Sequence, residues 1–332
     1  MSAAPGRSQA SSHRSPQGEG VPVSAAPGRS QASSHRSLQG EGTPVNAPHG
    51  QRVPEAFFFA TDNGSRYCLY HRPFDERPVR RPVLYLHPFA EEINTTRRVV
   101  ARQARALAAA GHPVLQIDLY GCGDSEGVFA DATWATWLSD ARLAFDWLTQ
   151  RNDQVPWLWG CRSGALLTCA LMESLPASLA HTPDLLWWQP VHSGAIQLQQ
   201  FLRLGLAQQW ARSDRSSTPA APHRPGAGAP VEIAGYRLSQ QLATELTSAR
   251  LVPSARSPGG KLIWVDITQQ ENPVPSSKTL ELKRTWEAAG WNVAHSSVKA
   301  PAFWQTVGLE EAPQLMQATL DALATPSTDP AG

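Results

Sequence analysis

The chain has 332 residues, enough for one large domain or two small ones, and 29 Lys+Arg balance 28 Asp+Glu to a net charge of +1. That balance leaves no basic surplus to hold a nucleic acid, so none is expected as a partner. Cys68, Cys122, Cys161 and Cys169 have neither metal-ligand nor disulfide-framework spacing, no apolar run reaches the ~18 residues of a membrane span, and no apolar signal core opens the chain. The expectation is a soluble, cytoplasmic protein with buried free thiols, no metal site and no cofactor.

In chain order, residues 2–23 and 24–45 are a near-perfect tandem duplication that differs only at Pro16/Leu38 and Val21/Thr43. Rich in Ser, Gly, Pro and Ala, it cannot bury enough apolar surface to offset its ordering entropy, so 1–50 is expected to be a disordered tail and 326–332 a disordered C-terminus. The folded domain, 51–325, opens with two β-rich runs joined by Asp62-Asn63-Gly64, a hairpin signal. "PVLYLHPF" reads as a buried strand and its exit loop. "TRRVVARQARALAAAG" is an amphipathic helix with Gly111 at its C′ position. A strand and Gly-rich loop ("HPVLQIDLYGCGDSEG"), a Trp-bearing helix from 131 to 150, the strand "VPWLWG", the helix "SGALLTCALMESL" and the strand "PDLLWWQPV" follow. The alternation then breaks, with two helical stretches around a Pro/Gly-rich segment, before "GGKLIWVDI", a helix, "WNVAHSSV" and a closing helix resume it. Strand–helix alternation of this density predicts an α/β fold, a mostly parallel, doubly wound sheet. The interruption, 192–258, predicts a helical cap over the carboxyl edge of the sheet. Twelve tryptophans, mostly within apolar runs, are expected in the core.

Ligands of such sheets bind outside the carboxyl ends of the strands, so four loops matter. "WLWGCRSGALL" carries Gly160 and Gly164 in the G-x-nucleophile-x-G spacing of the elbow of α/β-hydrolases, but Arg162 stands at the nucleophile position. A guanidinium stays protonated and has no lone pair to attack with; it can bind a carboxylate or phosphate or stabilise a developing anion. Ser163, one residue late, is the only nearby hydroxyl. His87-Pro88-Phe89 occupies the oxyanion loop, with the Phe89 N–H as donor because Pro88 has none. Asp118 and Asp124, in the D-x-x-G-x-G-x-S loop, are expected to support that turn. Glu271 in "QENPVP" matches the acid position, but the loop after the last strand reads "KAPAFWQT", with no histidine. His295 lies within the strand, so two of three triad positions are vacant. Glu91 and Glu92 follow the oxyanion loop and are expected to meet Arg162 across the cleft. His87, His192 and His295 are the histidines whose reach to a hydroxyl decides base catalysis.

Over Phe57 to Leu323 the chain resembles the second type of α/β-hydrolase-superfamily protein associated with the exosortase A system. The residues that carry this are "RYCLYHRP", "PFAEEINTTRR", "ARALAAAGHPVLQIDLYGCGDSEG", "WGCRSGALL", "WWQPVHSGAIQLQQFLRL", "VEIAGYRLS" and "APAFWQT". The resemblance implies the α/β-hydrolase fold with Arg162 as a family trait. It also implies a hydrolase or acyl-transfer protein for an ester-like substrate, serving exopolysaccharide or PEP-CTERM sorting loci. The chain departs from the family pattern in its duplicated tail, its segment at 214–230 and His87. The vacant triad leaves a second expectation: a catalytically silent member that binds an acyl- or sugar-linked ligand, or a pathway protein, through its capped pocket.

Overall fold

The computed structural model describes residues 53–74, 78–213, 231–256, 259–306, 308 and 310–324, all within the unit Ala47–Gly332. The duplicated tail, the segment 214–230 and residues 326–332 lie outside the described residues.

Strands β1 (Glu55–Thr61) and β2 (Gly64–His71) form the antiparallel hairpin that Asp62-Asn63-Gly64 predicts. Strand β3 (Val83–Leu86) leads to helix α1 (Glu92–Ala109), and β4 (Val114–Ile117) leads through the Gly-rich loop and a 3-10 turn, Phe129–Asp131, to α2 (Trp134–Asn152). Strand β5 (Trp157–Cys161) turns into α3 (Gly164–Ser174), and β6 (Leu185–Trp188) precedes the inserted α4 (Gly194–Ser213), β7 (Val231–Ile233), β8 (Tyr236–Leu238) and α5 (Gln240–Ser248). Strand β9 (Gly260–Thr268), α6 (Ser277–Ala288), β10 (Trp291–Lys299) and α7 (Pro313–Ala324) complete the chain.

The large sheet has the order β1-β2-β4-β3-β5-β6-β9-β10, antiparallel in its first three strands and parallel from β4 onward. Helices α2, α3 and α6 cover one face; α1 and α7 cover the other. The tryptophans are built into both layers. Trp187, Trp264 and Trp286 pack edge-to-face on one side, and Trp159 and Trp188 do so on the other. A buried indole N–H needs an acceptor, and two helices supply one: Trp187 donates to Thr168 on α3 at 2.9 Å and Trp188 to Thr319 on α7 at 3.0 Å. Helix starts carry the expected hydroxyl caps, Thr133 accepting from the Thr136 N–H, Ser239 from Leu242 and Ser276 from Thr279.

The inserted segment is not purely helical. "VEIAGYRL" forms a β-hairpin, with Ala234 at φ 52° and Gly235 at φ 83° in its two-residue turn. Two consecutive left-handed residues match the twist of tightly connected strands. Tyr236 of this hairpin packs edge-on against Phe129, ring centroids 5.0 Å apart, and its hydroxyl accepts from Asn94 on α1 at 3.1 Å.

A buried ion pair ties the antiparallel edge to the rest. Arg66 on β2 donates through Nε to Asp140 on α2 at 2.8 Å, and Asp140 also accepts the Tyr120 N–H at 2.8 Å. Removing one partner of such a pair strands a buried charge. Asp140→Ala is expected to cost about 3–5 kcal/mol in urea denaturation, and Asp140→Asn, which keeps an acceptor for the Tyr120 N–H, is expected to cost less.

Candidate functional site

The site is organised by the turn from β5 to α3. A Cβ on Gly160 would lie 2.5 Å from the Ala165 nitrogen, and one on Gly164 would lie 2.2 Å from the Leu86 carbonyl oxygen, so helix and strands approach only because both positions lack side chains. Between them Arg162 adopts φ 54°, a left-handed conformation that costs a non-glycine residue of order 1–3 kcal/mol. Its N–H is held by the Trp188 carbonyl at 2.9 Å. The elbow is therefore fully formed, with a guanidinium at its apex.

Arg162 is 5 % exposed and does not project freely into solvent. It donates through Nε at 3.3 Å and Nη2 at 3.1 Å to a single oxygen, Oε1, of Glu92, and through Nη2 at 2.7 Å to Gln200 Oε1 on α4. Its Cζ lies 4.9 Å over the Trp304 ring. Glu92 opens α1, and Gly164 opens α3, so two helix N-termini converge beside the guanidinium. Their partial positive charge adds to that of Arg162, and the Glu92 carboxylate offsets all three. Burial pushes the Glu92 carboxyl up, opposed by Arg162 and Gln197. Burial likewise raises Glu91 to about 7, with Glu92 adding to the rise and Arg162 opposing it.

The structure thus brings Glu92 onto Arg162, with Glu91 on the same cavity wall. Glu271 is not brought there: it is an exposed residue paired with Lys299 Nζ at 3.1 Å. Ser163 precedes α3 without a side-chain capping hydrogen bond, 5 % exposed, beside His87 and Phe89 around a void of about 10 Å³. His87 Nε2 accepts the Leu119 N–H at 3.3 Å, which leaves Nδ1 to donate to the Pro88 carbonyl at 2.7 Å, and burial lowers its pKa. Both ring nitrogens serve the backbone, and neither reaches Ser163. His295 Nε2 bonds Asp266 at 3.0 Å within the sheet, where Asp266 also accepts the Trp264 indole N–H at 2.8 Å. His192 meets Thr279 Oγ1 at 3.5 Å at the start of α6. Asp118 accepts the Asp124 N–H at 3.0 Å and Arg97 Nη2 at 3.1 Å; Asp124 contributes its backbone to the loop.

Arg162, Glu91 and Glu92 line a cavity of about 580 Å³, whose wall also includes residues of α4 and Trp304. Gln197 and Gln200 belong to it, a pair three residues apart on α4 and therefore on one helical face. The sequence reading assigned these glutamines no role, although "AIQLQQFLRL" carries that spacing. Asp266 as the partner of His295 was also missed; the two residues lie on different strands, and only the β9–β10 register brings them together.

No protein-family model matches the chain, and no curated protein sequence does. The fold is similar to that of Est1E from Butyrivibrio proteoclasticus bound to ferulic acid, at 17 % identity and TM-score 0.51 over 81 % of this chain and 96 % of that one. It is equally similar to the α/β hydrolase GrgF from Penicillium sp. sh18, at 16 % identity and TM-score 0.51 over 82 % and 98 % of the two chains. The chain has the α/β-hydrolase fold. Among the described residues no helix is long and apolar enough to cross a membrane.

Arg162→Met is expected to cost about 3–5 kcal/mol near pH 8, because it strands Glu92, and less at acid pH, where protonation of Glu92 removes the stranded charge; Arg162→Met with Glu92→Leu recovers most of the loss in urea denaturation. A carboxyl whose pKa is higher folded than unfolded binds more protons in the native state, so stability falls as pH rises from ordinary carboxylate values through about 7. Glu91→Gln is expected to remove its share of that fall, raising the thermal midpoint at pH 8 by about 2–4 °C with little change at pH 4.

Proposed function

We propose that this chain is an exosortase A system-associated member of the α/β-hydrolase superfamily. It works in the cytoplasm beside exopolysaccharide or PEP-CTERM sorting proteins and binds an acyl- or sugar-linked ligand in the capped cavity at its elbow. One observation carries the binding reading: the nucleophile position is occupied by Arg162, neutralised by Glu92 and fastened to the cap by Gln200. A nucleophilic mechanism needs a group with a lone pair and a base within hydrogen-bond reach. Arg162 has no such lone pair, and none of the three candidate histidines bonds Ser163. What the geometry offers instead is a recognition site. A fixed charge pair faces a cap helix, α4, that contributes Gln197, Gln200, Phe201 and Leu204.

A second reading, hydrolysis or acyl transfer on an ester-like substrate, is favoured by a different observation. The Phe89 and Ser163 N–H groups flank the elbow where an oxyanion hole belongs, and neither donates a hydrogen bond among the described residues. Under that reading Ser163 attacks and Glu271 serves as the acid.

Purified protein assayed on ester, thioester and amide substrates, including a ferulate ester chosen because Est1E binds ferulic acid, separates the two. The expected rate equals that of the Ser163→Ala variant and of buffer. Turnover abolished by Ser163→Ala or by Glu271→Gln would overturn the binding reading and establish the hydrolytic one.

A further inference from the structure

The cavity at the elbow has a donor and acceptor inventory that restricts what it can hold. Four buried polar atoms without a hydrogen-bond partner belong to side chains on its wall: Glu91 Oε2, Glu92 Oε2, Gln197 Oε1 and Trp304 Nε1. Three are acceptors. The Gln197 amide can be inverted, but an ionised carboxylate only accepts. Glu92 engages Arg162 through Oε1 alone, which leaves Oε2 unmatched on a side chain that is 7 % exposed. Leaving such atoms unpaired is costly, and the terminal carboxylate torsion is soft enough to turn Oε2 toward the cavity.

An anionic head group is the first thought for a site with an arginine and two helix N-termini. Here the anion is already built in, because Glu92 sits against Arg162 and at the first turn of α1. A carboxylate or phosphate would have to displace Glu92 from its cation and leave a third negative group beside Glu91. An ammonium ligand would lie near Arg162 and the rim residue Arg203. What remains is a neutral group that offers several O–H donors and accepts in return from the Trp304 indole and the glutamine amides.

Resting on the proposed binding role, the geometry points to a neutral, hydroxyl-rich ligand, the chemistry of an uncharged sugar unit, seated between Glu91, Glu92 and Gln197 with its C–H surface against Phe201 and Leu204. The cavity, about 580 Å³, falls within the roughly 300–1,000 Å³ of small-molecule sites.

The test is a selectivity ranking on the full chain by saturation-transfer NMR and tryptophan fluorescence. The probes are glucose, galactose, N-acetylglucosamine and cellobiose, set against glucuronate, glucose 6-phosphate and glucosamine. Saturable binding of at least one neutral sugar is expected, about 10-fold tighter than its charged counterparts. Gln197→Leu and Glu91→Leu, each confirmed folded by a cooperative thermal transition, should weaken it by about 10-fold. A preference for the phosphate, the uronate or the amine overturns the inference while leaving ligand binding in place. So does the absence of neutral-sugar binding up to about 50 mM, or binding that both variants leave intact. The ranking on the unmodified protein needs no variant to fold, and Ser163-dependent ester turnover would defeat the binding role itself whichever sugar binds.

Discussion

The contact between Arg162 and Glu92 is the constraint around which the site is arranged. At the apex of a turn that holds the backbone left-handed, the side chain of residue 162 is delivered to the mouth of the cavity with little freedom to go elsewhere. A cation delivered there meets the positive ends of α1 and α3, an unfavourable position unless a carboxylate is close. Glu92 supplies it from the first turn of α1, and Gln200 reaches down from α4 to fill the next donor. The turn after β5, helix α1 and the inserted helix α4 are thus joined through one guanidinium. The same pair explains why burial raises the Glu92 carboxyl only against opposition, while burial carries Glu91 to about 7 with Arg162 a minor opposing influence.

Much of this is legible in the sequence, because it rests on local chemistry. Gly160 and Gly164 mark a turn that only glycines permit, Asp62-Asn63-Gly64 marks the β1–β2 connection, and the spacing of Trp137, Ala141, Phe145 and Leu148 marks the buried face of α2. The meeting of Arg162 with one of two adjacent glutamates was also readable, since both loops leave neighbouring parallel strands at the same edge. Which glutamate was not. Glu92 is the first helical residue and Glu91 precedes it, so helical geometry points one at the cation and turns the other along the cavity wall.

What failed to show depended on long-range register. The β7–β8 hairpin lies in a segment expected to be a helical cap, two helical stretches around a Pro/Gly-rich run, yet Ala234-Gly235 accepts two consecutive left-handed residues and closes a turn instead. The acid motif around Glu271 is matched in sequence but ends in an exposed loop, where a nearby lysine is the partner available. Asp266, one residue pair inside β9, captures His295 because those strands run parallel in a register that places Trp264 opposite the histidine. Motif spacing records turns well and cross-strand neighbours poorly, because the latter are fixed by pairing that no local pattern encodes.

The survival of the elbow around an arginine follows from what the glycines do for packing. Gly160 and Gly164 set the distance between α3 and strands β3 and β5, and that distance positions Thr168 to take the Trp187 indole N–H. Replacing the turn would therefore disturb the tryptophan layer beneath it as well as the cavity above. The residue at the apex is under no such restraint, because its backbone is held by Trp188 whatever the side chain. A fold that fixes the backbone of a position and frees its side chain allows chemistry there to change without loss of architecture. An ion pair that closes three elements over a cavity is one stable outcome of that freedom. It ties the left-handed residue of the turn to α1 through Glu92 and to α4 through Gln200.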